Sequence, residues 1–512
     1  MIVSDQSDVV SFIEDILKQR GWNLETIATH ASLVFLAGDR AYKLKRAVSY
    51  PYLDFSTSEK RLAACQTEVT LNRRTAPTLY LGARMITRDM AGQLSFDGVG
   101  SLVDAVVEMR RFDQMMLFDN MAQRGALTPQ IMTDLARCIA AFHRDAASSG
   151  THGGADGIAA VLHINDRSLR ATGLVTGEEA DAFFALFKQT LERHIALLDM
   201  RREAGKVRRC HGDLILRNIC LVDGIPTMFD CIEFDDSLAT IDILYDLAFL
   251  LMDLWHRDQR DHANLVLNRY LDECDEGDGL PLMPFFMAIR AAVRAHVTAA
   301  QMASADAKNK PTFEAEARTY FDLACKLLQP EPVSLVAIGG FSGSGKSTVT
   351  SLLAASLGPA PGARTLNSDR IRKKLYGVAA ETHLPEAAYQ ASVSEKVYNF
   401  LRREARRILD TGHGVVVDAV FDRADEREAI QQVAEQGSVR FHGFWLEAPR
   451  ETLISRLAAR HHDPSDATVE VLAGQRQRAH GDMTWKPIDA SSDPAQTRDL
   501  IRVSMKLRHA DT

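Results

Sequence analysis

No CxxC pair and no cysteine–histidine cluster occurs anywhere in this sequence. Its seven cysteines, Cys65, Cys138, Cys210, Cys220, Cys231, Cys274 and Cys325, are scattered and odd in number. That spacing argues against a disulfide frame or a zinc site and suits reduced thiols in a cytoplasmic protein. A long apolar run is missing too. The best membrane candidate, ILYDLAFLLMDLW, is too short to span a bilayer and carries Asp246 and Asp253. A buried helix is expected there, and no membrane partner. The opening residues, MIVSDQSDVVSFIEDILKQ, hold early acids and no basic stretch, unlike a secretory signal. An excess of positive charge is also lacking: 60 Lys and Arg face 68 Asp and Glu, a net charge of −8. Nucleic-acid-binding proteins usually show a basic footprint, so such a partner is not expected for the chain as a whole. No fixed-period repeat and no low-complexity tract is found.

What is present is the composition of a soluble globular protein, 46% apolar and 25% charged. At 512 residues the chain exceeds one ordinary core, which suggests roughly two to four folding units. The sharpest break is LLQPEPVSLVAIGG, from Leu327. Two prolines end a helical region, and a β-branched strand follows. A boundary is therefore placed near Glu331, giving segments 1–330 and 331–512.

The first segment is strand-rich from about 30 to 108. SLVFLAGDRAYKLK reads as a hairpin turning at Gly38–Asp39. STSEKRLAACQTEVTLNRR reads as a helix capped by Ser56 or Thr57. LGARMITRD, GQLSFDG and SLVDAVVEMRRF supply further strands. A helical lobe follows, about 112–328, interrupted by an island around HGDLILRN. Beyond 331, the strands SLVAIGG, ARTLNSD, GVVVDAV and VRFHGFWLEA alternate with helices, which implies a parallel sheet covered on both faces.

HGDLILRN, His211 to Asn218, carries the first chemistry. An Asp on a rigid loop accepts a proton from an attacking hydroxyl. An Asn five residues later offers a neutral oxygen to a hard cation such as Mg2+. Asp230 follows after a hairpin turn at Asp223–Gly224, which folds it back toward Asn218. The Leu-Ile-Leu run between the polar residues anchors the loop in the core. Such a cation would bridge ATP phosphates, and phosphoryl transfer asks mainly for positioning and charge neutralisation.

The order His-x-Asp-x-x-x-x-Asn, hairpin, Asp matches the protein-kinase catalytic-loop spacing. With Gly212 and Phe229-Asp230-Cys231 it resembles the aminoglycoside phosphotransferase and choline kinase branch of that fold. The resemblance implies a two-lobed α+β domain with Asp213 as catalytic base, Asn218 and Asp230 as Mg2+ ligands, and His211 as scaffold. It further implies a strand lysine on the ATP phosphates held by a helix glutamate. AYKLK offers Lys43 or, on the same strand face, Lys45. Glu68 is the partner, with Glu59 as fallback. VVEMRRF, around Glu108 to Arg110, would be the hinge between lobes. The glycine-rich phosphate loop of protein kinases is absent, and Cys231-Ile232 stands in place of Phe-Gly. Both departures point away from protein substrates.

GGFSGSGKST is a full phosphate-loop match through Gly340, Gly345, Lys346 and Ser347. It lies between a strand and a helix, as the chemistry requires. The backbone of Gly340, Gly343 and Gly345 would turn N–H groups toward phosphate oxygens, and the helix N-terminus adds positive potential. Lys346 would bridge the terminal phosphates, Ser347 would ligate Mg2+, and Thr348 completes the cofactor-binding set. Asp418, where the strand in GVVVDAV ends, fits the remaining metal position.

TLNSDRIRKKLYG resembles the second-strand region of the polynucleotide kinase, gluconate kinase and zeta-toxin group. That resemblance makes Asp369 the acceptor base and gives Arg372 a hold on the acceptor, with Arg370, Lys373 and Lys374 equally readable as a solvated helix face. In the same group, arginines such as Arg456 and Arg460, four apart on one helix face, close over the transferring phosphate. Asp463 and Asp466 would fix the turn after them, and His461 and His462 read as surface histidines.

The expectation is thus a bifunctional ATP- and Mg2+-dependent phosphotransferase acting on small hydroxylated acceptors. An α+β protein-kinase-like domain precedes an α/β P-loop domain. The whole resembles a bacterial tandem of a phosphotransferase-like and a P-loop kinase domain. Two alternatives stand beside it: a nucleotide or nucleic-acid 5′-hydroxyl as acceptor of the P-loop domain, and a nucleotide-sensing regulatory ATPase.

Overall fold

The computed structural model describes residues 3–29, 31–50, 53–302, 308–459, 464–477 and 481–505. By contacts the chain forms two compact units. One comprises 1–171 and 176–253; the other comprises 172–175 and 254–512. The break falls inside the helix Ile243–His256.

The first unit opens with a six-stranded antiparallel sheet. Its spatial order is Leu24–Ala28, Ser32–Ala37, Arg40–Lys45, Ser101–Arg110, Tyr80–Arg88, Leu94–Phe96. The expected hairpin forms, with Ala37 opposite Arg40 across the Gly38–Asp39 turn. Gly38 has φ 56°, which a side chain would strain. One face buries the helix Ser7–Gln19 through Val9, Ile13 and Leu17 against Phe35, Tyr42 and Val106. The other buries the helix Ser58–Asn72 through Cys65 and Val69 against Ala105 and Val107. Thr57 caps that helix, accepting from the Lys60 N–H at 3.3 Å.

One detail differs from the sequence reading. The strand Leu24–Ala28 precedes the strand-rich stretch expected from about 30, because only one of its five residues is even half-buried and alternation gave no signal. Glu108–Arg110, where the hinge is expected, close the strand Ser101–Arg110. There Tyr42 donates to Glu108 at 3.1 Å, with Arg40 and Arg84 3.6 Å away.

The helical lobe is interrupted by short strands Val207–Arg209, Ile219–Val222, Ile225–Met228 and Thr240–Asp242. The hairpin at Asp223–Gly224 forms with both turn residues at positive φ, 51° and 82°, the turn such dipeptides favour. Leu214, Ile215 and Leu216 are buried, as the apolar run required. The expected buried helix is Ile243–His256. Among the described residues one stretch, Gly277–Gln301, is long and apolar enough to cross a membrane, and 67% of its apolar window is buried inside the protein.

The second unit holds a five-stranded parallel sheet ordered Arg364–Asn367, Val415–Asp418, Ser334–Gly340, Arg440–Glu447, Lys486–Asp489. The fifth strand was not foreseen. It has four residues, includes Pro487 and Asp489, and lies at the edge, where proline is tolerated. The core beneath the sheet joins Val336, Ile338, Val416 and Phe444 to Val349, Leu353 and Ile501 of the flanking helices.

Candidate active sites

In the first unit the catalytic-loop residues converge. Asn218 donates from Nδ2 to Asp213 Oδ2 and to the Asp213 carbonyl, both at 2.8 Å. That leaves the Asn218 side-chain oxygen as a neutral donor for a cation. The register Ile219 opposite Met228, with the Phe229 N–H on the Asn218 carbonyl at 2.9 Å, returns the chain to Asp230. His211 donates from Nε2 to the Phe229 carbonyl at 2.9 Å, and its Nδ1 lies 3.3 Å from the Asp213 N–H. It braces the loop and leaves the reacting positions to other groups. Gly212 has φ 86°, and a Cβ there would meet Ala239 and Ile232 at 2.9 Å, so only glycine fits.

Both lysines engage Glu68, whose side chain is fully buried. Lys43 Nζ lies 2.9 Å from Glu68 and 2.5 Å from Asp230. Lys45 pairs with the other Glu68 oxygen and with buried Glu233. Lys43 thus faces the Asp230 carboxylate, and Lys45 is the deeper of the two. Glu59 is exposed and engages neither. Burial disfavours the Lys43 ammonium, but Asp230, Glu68 and Glu233 outweigh it and lift its pKa well above the lysine norm. Burial also opposes ionisation of Asp230, yet Lys43 above all holds its carboxyl at about 2. An ionised carboxylate and a neutral amide oxygen are donor types that a magnesium ligand set uses.

Two carboxylates absent from the sequence-based site support the loop from below. Asp246 accepts from the His211 and Gly212 N–H groups at 3.1 and 2.8 Å, and His143 Nε2 lies 3.1 Å from it. Asp253 accepts from the Leu216 N–H at 3.0 Å. Their signal was in the sequence: two acids seven apart in an apolar run lie on one helix face.

In the second unit the phosphate loop joins Ser334–Gly340 to the helix Lys346–Ala354. Gly343 has φ 86°, and a Cβ there would strike the Leu453 carbonyl at 2.6 Å. Lys346 Nζ rests on the Phe341 carbonyl at 3.1 Å. Ser347 and Asp418 are brought together by Asn367, unmarked in the sequence reading. Its Nδ2 donates to Asp418 at 2.7 Å and to Ser347 Oγ at 3.1 Å, while its Oδ1 caps the next helix on the Arg370 N–H. Burial raises the Asp418 carboxyl above its usual range against Lys346, Ser347 and Asn367, and Asp369 adds to the rise. A buried carboxylate beside a serine hydroxyl is a donor set that a hard cation would complete. Asp369 lies in the first turn of the helix Ser368–Leu375. Gln475 clasps the loop, accepting from the Ser342 N–H and donating to its hydroxyl, both at 3.0 Å.

The basic residues behave differently from expectation. Lys373 is buried and pairs with Asp466, so it is no solvated face; Lys374 is exposed. Asp466, expected to fix the turn after the Arg450–Ala458 helix, instead also accepts from Tyr389 and the Leu384 N–H. Arg372 donates to the Ala388 carbonyl at 2.7 Å and stacks over Tyr389. Arg456 donates to the carbonyls of Ala490 and Ser492 at 2.8 and 3.0 Å, with Gly345 beside it. Arg460, His461, His462 and Asp463 lie outside the described residues.

These features define a kinase-like α+β domain followed by a P-loop domain on a parallel sheet. Residues 108–283 match the family model described as phosphotransferase enzyme family, and residues 335–481 match one described as AAA domain. An uncharacterized protein of Mycobacterium tuberculosis (strain H37Rv) is 30% identical over 459 residues, covering 88% of this chain and 89% of that protein. The adenylyl-sulfate kinase of Myxococcus xanthus is 27% identical over 158 residues, 31% of this chain and 77% of that enzyme. Among solved structures, choline kinase from Cryptosporidium parvum matches with TM-score 0.40 and 10% identity, over 62% of this chain and 95% of that one. A gluconokinase from Sinorhizobium meliloti matches with TM-score 0.24 and 20% identity, over 35% and 97%. The chain belongs to the family of the mycobacterial protein, and in it a phosphotransferase-family domain precedes a P-loop kinase domain.

Proposed function

We propose that this chain is a bifunctional phosphotransferase using ATP and Mg2+ at two separate sites, each acting on a small hydroxylated acceptor. The domains are taken as 1–330 and 331–512, and seven cysteines with no disulfide among them suit a cytoplasmic setting. The observation that carries the reading is a pair of contacts, Asn218 on Asp213 and Lys43 on Asp230, joined by the Phe229 N–H on the Asn218 carbonyl.

At the first site Asn218 and Asp230 would hold Mg2+, and Lys43, fixed by Glu68, would hold ATP phosphates. Asp213 takes the proton of the acceptor hydroxyl as its oxygen bonds to the γ-phosphorus. The bond from that phosphorus to the bridging oxygen breaks, and ADP leaves. At the second site Ser347 and Asp418 would hold Mg2+. Lys346 and the backbone of Gly340, Gly343, Gly345 and Thr348 would hold phosphate, and Asp369 would act as base. Bound Mg2+ supplies neutralisation of phosphate charge at both. Arg456 and Arg460 would close over the transferring phosphate. A small neutral acceptor is favoured at the second site over a nucleic-acid end. Arg372 and Lys373 are engaged by the protein's own carbonyls and carboxylates, and Arg370 reaches Asp272.

A phosphorylation screen over a metabolite library, run with intact protein, Asp213→Asn and Lys346→Ala, tests this. Each variant should lose a different acceptor-dependent activity. ATP binding with no acceptor in the intact protein would support a nucleotide sensor instead.

A further inference from the structure

The sheet of the second unit ends in the strand Arg364–Asn367, which pairs on one side only. An open strand edge presents unpaired backbone groups. Here a helix from before the P-loop segment, Arg260–Glu273, covers it through three residues four apart, hence on one face. Asn264 Nδ2 donates to the Pro361 and Ala363 carbonyls, both at 3.0 Å. Asn268 accepts from the Thr365 N–H at 2.7 Å and donates to the Ala363 carbonyl at 3.2 Å. Its amide thus meets the edge as another strand's peptide would. Asp272, one turn on, lies 2.8 Å from Arg364 and 3.4 Å from Arg370, with Arg269 at 2.7 Å.

Arg364 and Arg370 bracket Asn367, Ser368 and Asp369. One carboxylate therefore grips both ends of the segment carrying the metal-shell bridge and the acceptor base. The three guanidiniums outweigh burial and keep the Asp272 carboxyl below its usual range, so the grip is ionic at neutral pH. A role confined to covering the edge would need only the two asparagines, whereas Asp272 reaches past the strand to the helix that bears Asp369.

We infer that Asp272 is a positioning residue for the P-loop kinase site, aligning Asp369 and Asn367 through Arg364 and Arg370. This rests on the reading of Asp369 as base. The working P-loop kinase then includes the helix Arg260–Glu273, upstream of its own phosphate motif.

The test uses the full chain carrying Lys43→Ala and Asp213→Asn, which remove the phosphate lysine and the base of the first site. Turnover is ADP release from Mg2+-ATP with water as acceptor, and nucleotide affinity is read with a non-hydrolysable ATP analogue. Asp272→Asn should lower kcat at least about tenfold, the scale for a displaced catalytic group, with analogue affinity within about twofold. Asp272→Glu should recover part of it. Arg370→Ala, which spares the Arg364 and Arg269 pairs, should lower kcat likewise even if Asp272→Asn fails to fold. Unchanged kcat in both Asp272→Asn and Arg370→Ala, or a loss matched by lost nucleotide affinity, overturns the inference. An Asp369→Asn arm separates the two readings. If it lowers kcat and the others do not, the positioning role alone falls. If Asp369→Asn also leaves kcat unchanged, the base assignment falls and takes this inference with it.

Discussion

Asn72 and Cys231 are joined by a 2.8 Å hydrogen bond, the Cys231 N–H donating to the Asn72 side-chain oxygen. The same amide donates to the Glu68 carbonyl at 2.9 Å. One buried side chain therefore ties the glutamate that holds both lysines to the peptide that follows Asp230. Tyr80 adds a second tie, its hydroxyl accepting from the Asp230 N–H at 3.2 Å. Asp230 sits at φ 65°, an uncommon conformation that needs such external support. Cys231 and Ile232 give the loop no glycine there, so the hold comes from the helix Ser58–Asn72 and from Tyr80.

Replacing Asn72 with Ala should leave the Cys231 N–H unpaired in the core, at about 1–3 kcal/mol. The metal carboxylate would lose its aim. Mg2+ dependence of the first activity should shift about 10–100-fold toward higher concentration, the scale for groups that orient a metal ligand. The Lys346-dependent activity should be unchanged. Titrating Mg2+ against each activity checks both parts; an equal shift in the two would mean general destabilisation.

Asp246 is buried and holds two N–H groups of the catalytic loop and His143. Asp246→Ala removes all three partners at once, so a loss of several kcal/mol is expected. Asp246→Asn keeps one acceptor oxygen and should fall between. Hydrogen exchange at His211 and Gly212 should accelerate more than exchange in the sheet around Phe35. Uniform acceleration would count against a local role.

Much of this was legible because the decisive residues stand close in sequence. Asp213 and Asn218 sit on one loop, and the Asp223–Gly224 turn fixes where Asp230 returns. The phosphate loop is one continuous motif. Asn72 and Tyr80 were not legible as site residues, since the backbone groups they meet at Cys231 and Asp230 lie far along the chain. Asn367 was passed over for the neighbouring Asp369, since an amide has no titration to mark it. Lys373 resembled a surface lysine until Asp466, 93 residues later, was brought against it. Local pattern shows what a segment can do, whereas a buried ion pair appears only when the fold closes.

Asn367 links Ser347 to Asp418, and burial raises the Asp418 carboxyl. Asn367→Ala should free both metal-side groups and uncap the helix Ser368–Leu375, costing about 1 kcal/mol from the cap alone. Mg2+-dependent ATP binding at the second site should weaken about 10–100-fold, while Mg2+-free nucleotide binding changes little. Calorimetry with and without Mg2+ on the full chain carrying Lys43→Ala, which removes the phosphate lysine of the first site, separates the two. Equal weakening in both would remove Asn367 from the metal shell.

Glu426 offers a pH signature away from either metal site. Burial first, and then the Asp422 carboxylate, lift its carboxyl to about 7, against Tyr398 and Arg423. The folded state therefore holds a proton that the unfolded chain releases near its ordinary value of 4.5. Between those limits the native state binds more protons, so stability falls as pH rises from about 4.5 to 7 and levels off above. Glu426→Gln mimics the protonated form. It should leave the melting temperature of the second unit nearly unchanged at pH 4.5 and raise it at pH 8, flattening the slope between. Each kcal/mol relieved corresponds to roughly 2–4 °C in a domain of this size. An unaltered slope in Glu426→Gln would assign the pH dependence to other groups.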